Sequence, residues 1–328
     1  MHPEYLLLAE REPYIILDDE FNVPKLRERE LSYMIAVAKT VKPNPNVIET
    51  DRRVPVRDGT SIPVRLHSPR KPPTGGSPIF VMLHSGGYCI GGLNNRLQDC
   101  RMLVEKWGFV VVNIDYRLAP EHPFPTAVYD AYDVVRWTAA NYEEIGANPA
   151  AGFIVGGNST GATLGAIIAL LARDEELNPP LTGQLLSIPS VVDPSVVPKE
   201  YEEELLSREQ NADAPYYLNK LNSVFQGRPS FSFCFVQGHQ RLTESSCIQS
   251  GPCIICGLDP ARDDGFIYDQ ALRNAGVKTR VDVYPGLPHA FWAFLPQLEA
   301  TRQYEEDLAA GIEWLLDRGR AADVETRI

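Results

Sequence analysis

Apolar runs alternating with helix-period stretches set the rhythm of the chain. Residues 78–83 are continuously apolar, as in a strand buried on both faces. A helical pattern follows over 97–107, and residues 109–114 form a second buried run. Pro125 opens a helix whose apolar face holds Val128, Ala131, Val134, Val135 and Ala139. Residues 152–156 read as a strand and 160–173 as the helix after it. Further strands are expected within 183–192 and at 253–256, then a helix over about 266–274. Residues 279–284 alternate as a strand, and 298–317 form an amphipathic closing helix. Upstream, 51–56 and 61–67 are short strands joined by Asp58-Gly59, a hairpin-type turn. Strand–helix alternation predicts an α/β fold with a mostly parallel central sheet flanked by helices. Ligands of such sheets bind beyond the carboxyl ends of the strands.

Three stretches break the rhythm. Residues 1–48 are polar and partly helical, with apolar Leu26, Leu31, Met34, Ile35 and Val37, and end at Pro43 and Pro45. They read as an N-terminal arm that contributes to a cap. Residues from about 193 to 228 are acidic and rich in tyrosine (Tyr201, Tyr216, Tyr217, with Glu202, Glu203 and Glu204) and read as an inserted helical lid. The main domain is therefore expected over 49–317, with 318–328 as a tail. Residues 229–250 carry Ser230-Phe231-Ser232-Phe233-Cys234-Phe235-Val236 and fit neither pattern. We read part of this stretch as translated intron; its presence in the sequenced mature message would remove that idea.

Composition narrows the class. At 328 residues, 44% of them hydrophobic, the chain can build one large α/β domain with insertions, or two small ones. A net charge of −12, from 31 basic and 43 acidic residues, argues against nucleic acid as a partner. No apolar run is long enough to span a membrane, so no stable membrane insertion is expected. No basic leader precedes an apolar core, so a cytoplasmic location with reduced thiols is expected. Cys253-Ile254-Ile255-Cys256 has metal-ligand spacing but no second pair, and it lies in an apolar run. Buried strand cysteines are the expectation, with no metal and no cofactor. Self-association is left open.

The chemistry centres on Gly157-Asn158-Ser159-Thr160-Gly161, a Gly-x-Ser-x-Gly between strand and helix. A nucleophilic Ser at such a tight turn is strained, and side chains two residues to either side would collide with neighbouring backbone. A helix N-terminus beneath Ser159 favours an oxyanion. A P-loop has similar glycine spacing, but Ala162 stands where its Lys should be. The remaining alternative is a plain turn with a surface Ser. A Ser hydroxyl needs a base, and the base needs an orienting acid. Asp259 follows one late strand and His289 the next, giving the order Ser159, Asp259, His289. Taken singly, Asp259 could be an Asp-Pro turn and His289 an ordinary loop histidine. Ala290-Phe291-Trp292 offers an apolar wall for the imidazole. Gly86 and Gly87, after the 78–83 strand, and the N–H of Thr160 are the candidate oxyanion donors.

Four blocks carry a family resemblance: His84-Ser85-Gly86-Gly87-Tyr88; Asp115-Tyr116-Arg117-Leu118-Ala119-Pro120-Glu121-His122-Pro123-Phe124-Pro125; Gly157-Asn158-Ser159-Thr160-Gly161; and Asp259-Pro260-Ala261-Arg262-Asp263-Asp264-Gly265 with His289 beyond. They span roughly 50–317, and the chain resembles the hormone-sensitive lipase (GDXG) family of α/β-hydrolases, particularly fungal esterases of secondary metabolism. The resemblance implies an α/β-hydrolase fold with a helical cap and cofactor-free hydrolysis of small-molecule esters through an acyl-enzyme. It gives the 115–125 block a structural role, bracing the oxyanion loop. Three departures stand out: Ser85 replaces a Gly, and Asn158 and Thr160 replace the usual Asp and Ala. Short- to medium-chain acyl esters are the expected substrates. The alternatives are a non-catalytic binding protein on the same fold, as in plant gibberellin receptors that lack the His, or amide hydrolysis or elimination at the same site.

Overall fold

A computed structural model describes residues 2, 3, 5, 22–40, 43–194, 197–214 and 250–317. Residues 229–249, the tail 318–328, Tyr216, Tyr217, Cys234 and Cys247 lie outside the described residues. The elements in chain order are α1 (Val23–Thr40), β1 (Val47–Pro55), β2 (Ser61–Pro69), β3 (Ile79–Leu83), α2 (Leu97–Trp107), β4 (Val110–Ile114), α3 (Thr126–Ala140), β5 (Phe153–Asn158), α4 (Thr160–Asp174) and β6 (Gly183–Ser187). A 3₁₀ turn at Lys199–Glu204, α5 (Ser207–Gln210), β7 (Ser250–Cys256), α6 (Arg262–Asn274), β8 (Arg280–Tyr284), α7 (Phe291–Phe294) and α8 (Glu299–Leu316) complete it. The strand order is β1-β2-β4-β3-β5-β6-β7-β8. The chain forms two compact units, Asn22–Gln184 and the residues from Leu185 onward together with those near the N-terminus.

In the first unit, β1 and β2 form the expected antiparallel hairpin, and β2 runs antiparallel to β4. Gly59 at its turn has φ 84°, and Asp58 Oδ1 accepts the N–H of Thr60 at 3.0 Å. β3 lies parallel between β4 and β5, and every side chain of the three is buried. Burying each Val, Ile or Leu stabilises by ~1.5–3 kcal/mol, so this triplet anchors the unit. Of the 15 residues of α4, 12 are buried, as its run of Ala, Gly, Leu and Ile requires. Pro125 caps α3 rather than sitting inside its first turn.

In the second unit, β7 and β8 are parallel, with Cys256 opposite Tyr284. Cys253 and Cys256 are buried as expected. They stand three positions apart on a period-two strand, so they face opposite sides and cannot share one ion. Two expectations need correction. The helix expected from about 266 begins one turn earlier, at Arg262. Asp263 and Asp264 look like loop residues, yet acidic side chains suit a helix's first turn, and both accept hydrogen bonds from residues outside the helix. β8, expected to alternate, is buried at four of its five positions. Its polar side chains are absorbed by pairing. Arg280 binds Asp282 at 3.0 Å, and the Tyr284 hydroxyl donates to Asp307 of α8 at 2.8 Å.

Candidate active site

β5 delivers the chain to Ser159, whose φ of 52° and ψ of −119° lie where a residue with a Cβ is strained. Its carbonyl accepts the N–H of Thr163 at 2.9 Å, opening α4. Thr160, the first residue of α4, has an N–H with no intrahelical carbonyl to bind. The parallel register sets Gly157 opposite Leu83 at the end of β3. A Cβ on Gly157 would lie 2.1 Å from the Leu83 carbonyl oxygen, and one on Gly161 also 2.1 Å from it and 2.8 Å from that of His84. Both glycines are therefore required by close approach to the start of the candidate oxyanion loop. Asn158 is buried, and with its carboxamide oxygen toward Arg96 it accepts from the guanidinium at 2.9 and 3.2 Å. Arg96 is itself paired with Asp99 at 2.6 Å.

The loop after β3 places Gly86 at φ 123°, Gly87 at 57° and Tyr88 at 61°. The Gly86 carbonyl accepts the N–H groups of Cys89 and Ile90, each at 3.1 Å, and closes a tight turn. A Cβ on Gly86 would lie 2.1 Å from the Ile90 carbonyl oxygen. His84 is fully buried and stacks on Tyr116, 4.0 Å between centroids, while the Tyr116 hydroxyl donates to the His84 carbonyl at 2.8 Å. Burial holds the His84 imidazole down to about 4, so it is a neutral packing group at pH 7. Ala119 N–H donates to the Tyr88 carbonyl at 2.8 Å, and Arg117 is clasped by buried Asp130 at 2.6 and 2.8 Å. Tyr116 and Ala119 thus tie the 115–125 block to the loop after β3, and Arg117 ties it to α3.

In the second unit, parallel pairing of β7 and β8 lays their following loops side by side. Leu258 N–H reaches the Leu287 carbonyl at 2.9 Å. Asp259 Oδ2 then meets His289 Nδ1 at 2.5 Å, with both side chains buried. Asp259 Oδ1 accepts the N–H of Ala261 at 2.8 Å, so both carboxylate oxygens are engaged. A histidine bound through Nδ1 presents Nε2 for proton transfer. The Phe291 and Trp292 rings pack with Tyr284 and Tyr304: Phe291 lies 5.2 Å from Tyr284, and Trp292 stacks 4.0 Å from Tyr304.

The structure thus brings Asp259 and His289 together, and sets Ser159 and Thr160 against the end of the strand that leads to Gly86 and Gly87. It adds groups that the sequence pattern does not reveal. Asn211 Nδ2 donates to the Asp259 carbonyl at 3.0 Å, and Ser207 Oγ to that of Pro260 at 2.8 Å. Arg96 holds the residue before Ser159, and Arg27 reaches the candidate oxyanion loop at the Cys89 carbonyl. None sits in a motif. Among the described residues, no group of three or more His, Cys, Asp or Glu could hold a metal ion. Burial raises the thiols of Cys253 and Cys256, the opposite of what a thiolate ligand needs. None of the described helices is long and apolar enough to cross a membrane.

Comparison with known proteins places the chain in a family. Residues 80–293 match a family model described as having the alpha/beta hydrolase fold. The chain belongs to this family of α/β-hydrolases, and it is an enzyme of the esterase class. It is 35% identical over 313 residues to an AB hydrolase superfamily protein of Schizosaccharomyces pombe, covering 92% of this chain and 90% of that one. It is 30% identical to the versiconal hemiacetal acetate esterase of Dothistroma septosporum, over 75% of each chain. Among solved structures it is similar to vibralactone cyclase, with a TM-score of 0.85, 30% identity, and coverage of 98% of this chain and 96% of that one.

Proposed function

We propose that the protein is a cofactor-free serine carboxylesterase that cleaves short- to medium-chain acyl esters of a small molecule through an acyl-enzyme. Ser159 Oγ attacks the ester carbonyl. His289 takes the Ser159 proton and later passes it to the leaving alkoxide. Asp259 fixes the imidazole tautomer and stabilises the imidazolium. The N–H groups of Gly86, Gly87 and Thr160 receive the oxyanion. Water, activated by His289, then releases the acid. The observation that carries this reading is the conformation of Ser159. A non-glycine residue is held at φ 52° between a buried strand and a buried helix, a strained placement that supports a nucleophile presented at the turn.

The N-terminal arm and the 193–228 insertion are assigned, in this reading, to a cap that selects the substrate. The likeness to an esterase of versiconal hemiacetal acetate supports deacylation of a secondary metabolite. The test is hydrolysis of p-nitrophenyl acetate, butyrate, octanoate and palmitate by wild type and by Ser159→Ala. Activity should fall with chain length, and the variant should lose about 10⁶-fold, as in serine proteases lacking the nucleophile. Folded wild type as inactive as the variant on all four esters would overturn the reading in favour of a non-catalytic binding protein.

A further inference from the structure

We infer that Arg27 is a positioning residue for the oxyanion loop, acting on it from α1, outside every motif of the family. Its Nε donates to the carbonyl of Cys89 at 2.8 Å. Nη2 donates to the carbonyl of Ala119 and to Glu121 Oε2, and Nη1 to Glu121 Oε1, each at 2.8 Å. Four of the five guanidinium N–H donors are thereby aimed in one plane at two loop carbonyls and one carboxylate.

The targets give this contact its meaning. Cys89 ends the turn closed by the Gly86 carbonyl, and the two residues inside that turn are Gly87 and Tyr88, both at positive φ. Tyr88 is strained there, and such a turn persists only where its surroundings over-determine it. Tyr116 fixes the loop at His84, and Ala119 fixes it at Tyr88. Arg27 supplies the third tie, at Cys89, and joins it rigidly to Ala119, whose own N–H holds Tyr88. The peptide planes that aim the Gly86 and Gly87 N–H groups are thus set partly from α1. An ion pair alone does not account for this geometry. Arg27 and Glu121 are 33% and 56% exposed, where a salt bridge contributes little. A lysine would also supply the charge, but not a planar fork for three acceptors. Nor is Arg27 the one anchor of its helix. One turn on, Glu30 accepts from Asn95 at 2.7 Å without touching the turn.

The inference rests on the proposed ester hydrolysis for its kinetic arm and stands apart from it in a second arm. Arg27→Met, Arg27→Lys and Glu30→Ala are compared with wild type on p-nitrophenyl acetate. Removing an oxyanion donor costs 10²–10³ in kcat, so misaiming one should cost about 10-fold. Arg27→Met should show that fall in kcat with KM within about twofold, and a parallel loss of affinity for a boronic acid that mimics the tetrahedral adduct. Glu30→Ala should keep wild-type kcat. Arg27→Lys should behave like Arg27→Met, and it carries the comparison if the methionine variant does not fold. In the second arm, hydrogen exchange at the Cys89 and Ile90 amides should quicken about 10-fold in the Arg27 variants and not in Glu30→Ala. Unchanged kcat, a change in KM alone, or an equal fall in Glu30→Ala would overturn the inference. So would unchanged exchange at Cys89 and Ile90, whether or not the protein cleaves esters.

Discussion

At Ser159 the usual order of alanine and glycine should invert. The residue is held at φ 52° and ψ −119°. A side chain with a Cβ costs ~1–3 kcal/mol in such a region, and glycine avoids most of that. Against this, glycine gains more freedom in the unfolded chain, which destabilises by ~0.5–1 kcal/mol relative to alanine. Ser159→Ala and Ser159→Gly both remove Oγ, so whatever that atom contributes cancels between them. The strain term is the larger, so the glycine variant should be more stable than the alanine variant by about 0.5–2 kcal/mol. For a chain of 328 residues this corresponds to roughly 1–4 °C in Tm.

Both variants should be catalytically dead, so the experiment reads strain without interference from turnover. Urea denaturation and thermal melts of the two variants, side by side, provide the assay. An alanine variant as stable as the glycine variant, or more so, would refute the claim that the elbow is strained. It would also remove the main physical support for Ser159 as a nucleophile.

Two further predictions use the same logic. Gly161→Ala places a methyl 2.1 Å from the Leu83 carbonyl oxygen, more than about 1 Å inside normal contact. It should cost about 1–3 kcal/mol and, by displacing Ser159 from the oxyanion loop, about 10²-fold in kcat on p-nitrophenyl butyrate. Gly75→Ala, with nothing within 4 Å, should be silent; a fully active Gly161→Ala sinks the argument. His67, on β2 between β1 and β4, is fully buried, and burial holds its imidazole down to about 4 despite Glu49 at 3.3 Å, with Arg65 and Arg101 opposing Glu49. Its folded value lies below the unfolded value of about 6.5, so its contribution is whole above that pH and lost as pH falls toward 4. His67→Gln should therefore flatten the loss of stability between pH 6.5 and 4.5 by ~1–2 kcal/mol; parallel curves for variant and wild type would refute this.

The sequence revealed features wherever a backbone requirement forces a residue type. Gly157 and Gly161 are dictated by one carbonyl, that of Leu83, so their spacing shows in the chain. Asp259 and His289 could be read as loop residues after late strands, and parallel pairing of β7 and β8 turns that position into contact. The hidden features depend on side chains that cross long stretches of chain. Arg27 binds a carbonyl 62 residues away and another 92 away, and nothing in a polar helix distinguishes it from a solvated charge. The early start of α6 was hidden for the same reason. Asp263 is occupied by the N–H groups of Leu206 and Ser207, residues far away in sequence. At β8, polar and apolar residues alternate in sequence, yet the polar positions are buried too, because Asp307 of α8 engages Tyr284.

The hidden contacts share a cause. A reactive loop at a strand's carboxyl end has left the ladder, so its carbonyls need donors from elsewhere. In the first unit Arg27, from the N-terminal arm, supplies them to Cys89 and Ala119. In the second, Asn211 and Ser207 supply them to Asp259 and Pro260, while Asp264 holds Arg208 at 3.0 Å from the other side. The segments that interrupt the strand–helix rhythm are therefore not decoration around a finished core. Through Arg27, Ser207 and Asn211, their described parts complete the hydrogen bonding of the loops that carry the candidate site. If they also select the substrate, a change made there to alter specificity will disturb the aim of the proposed oxyanion donors or the seat of Asp259. Selection and rate are then coupled through the same few carbonyl groups.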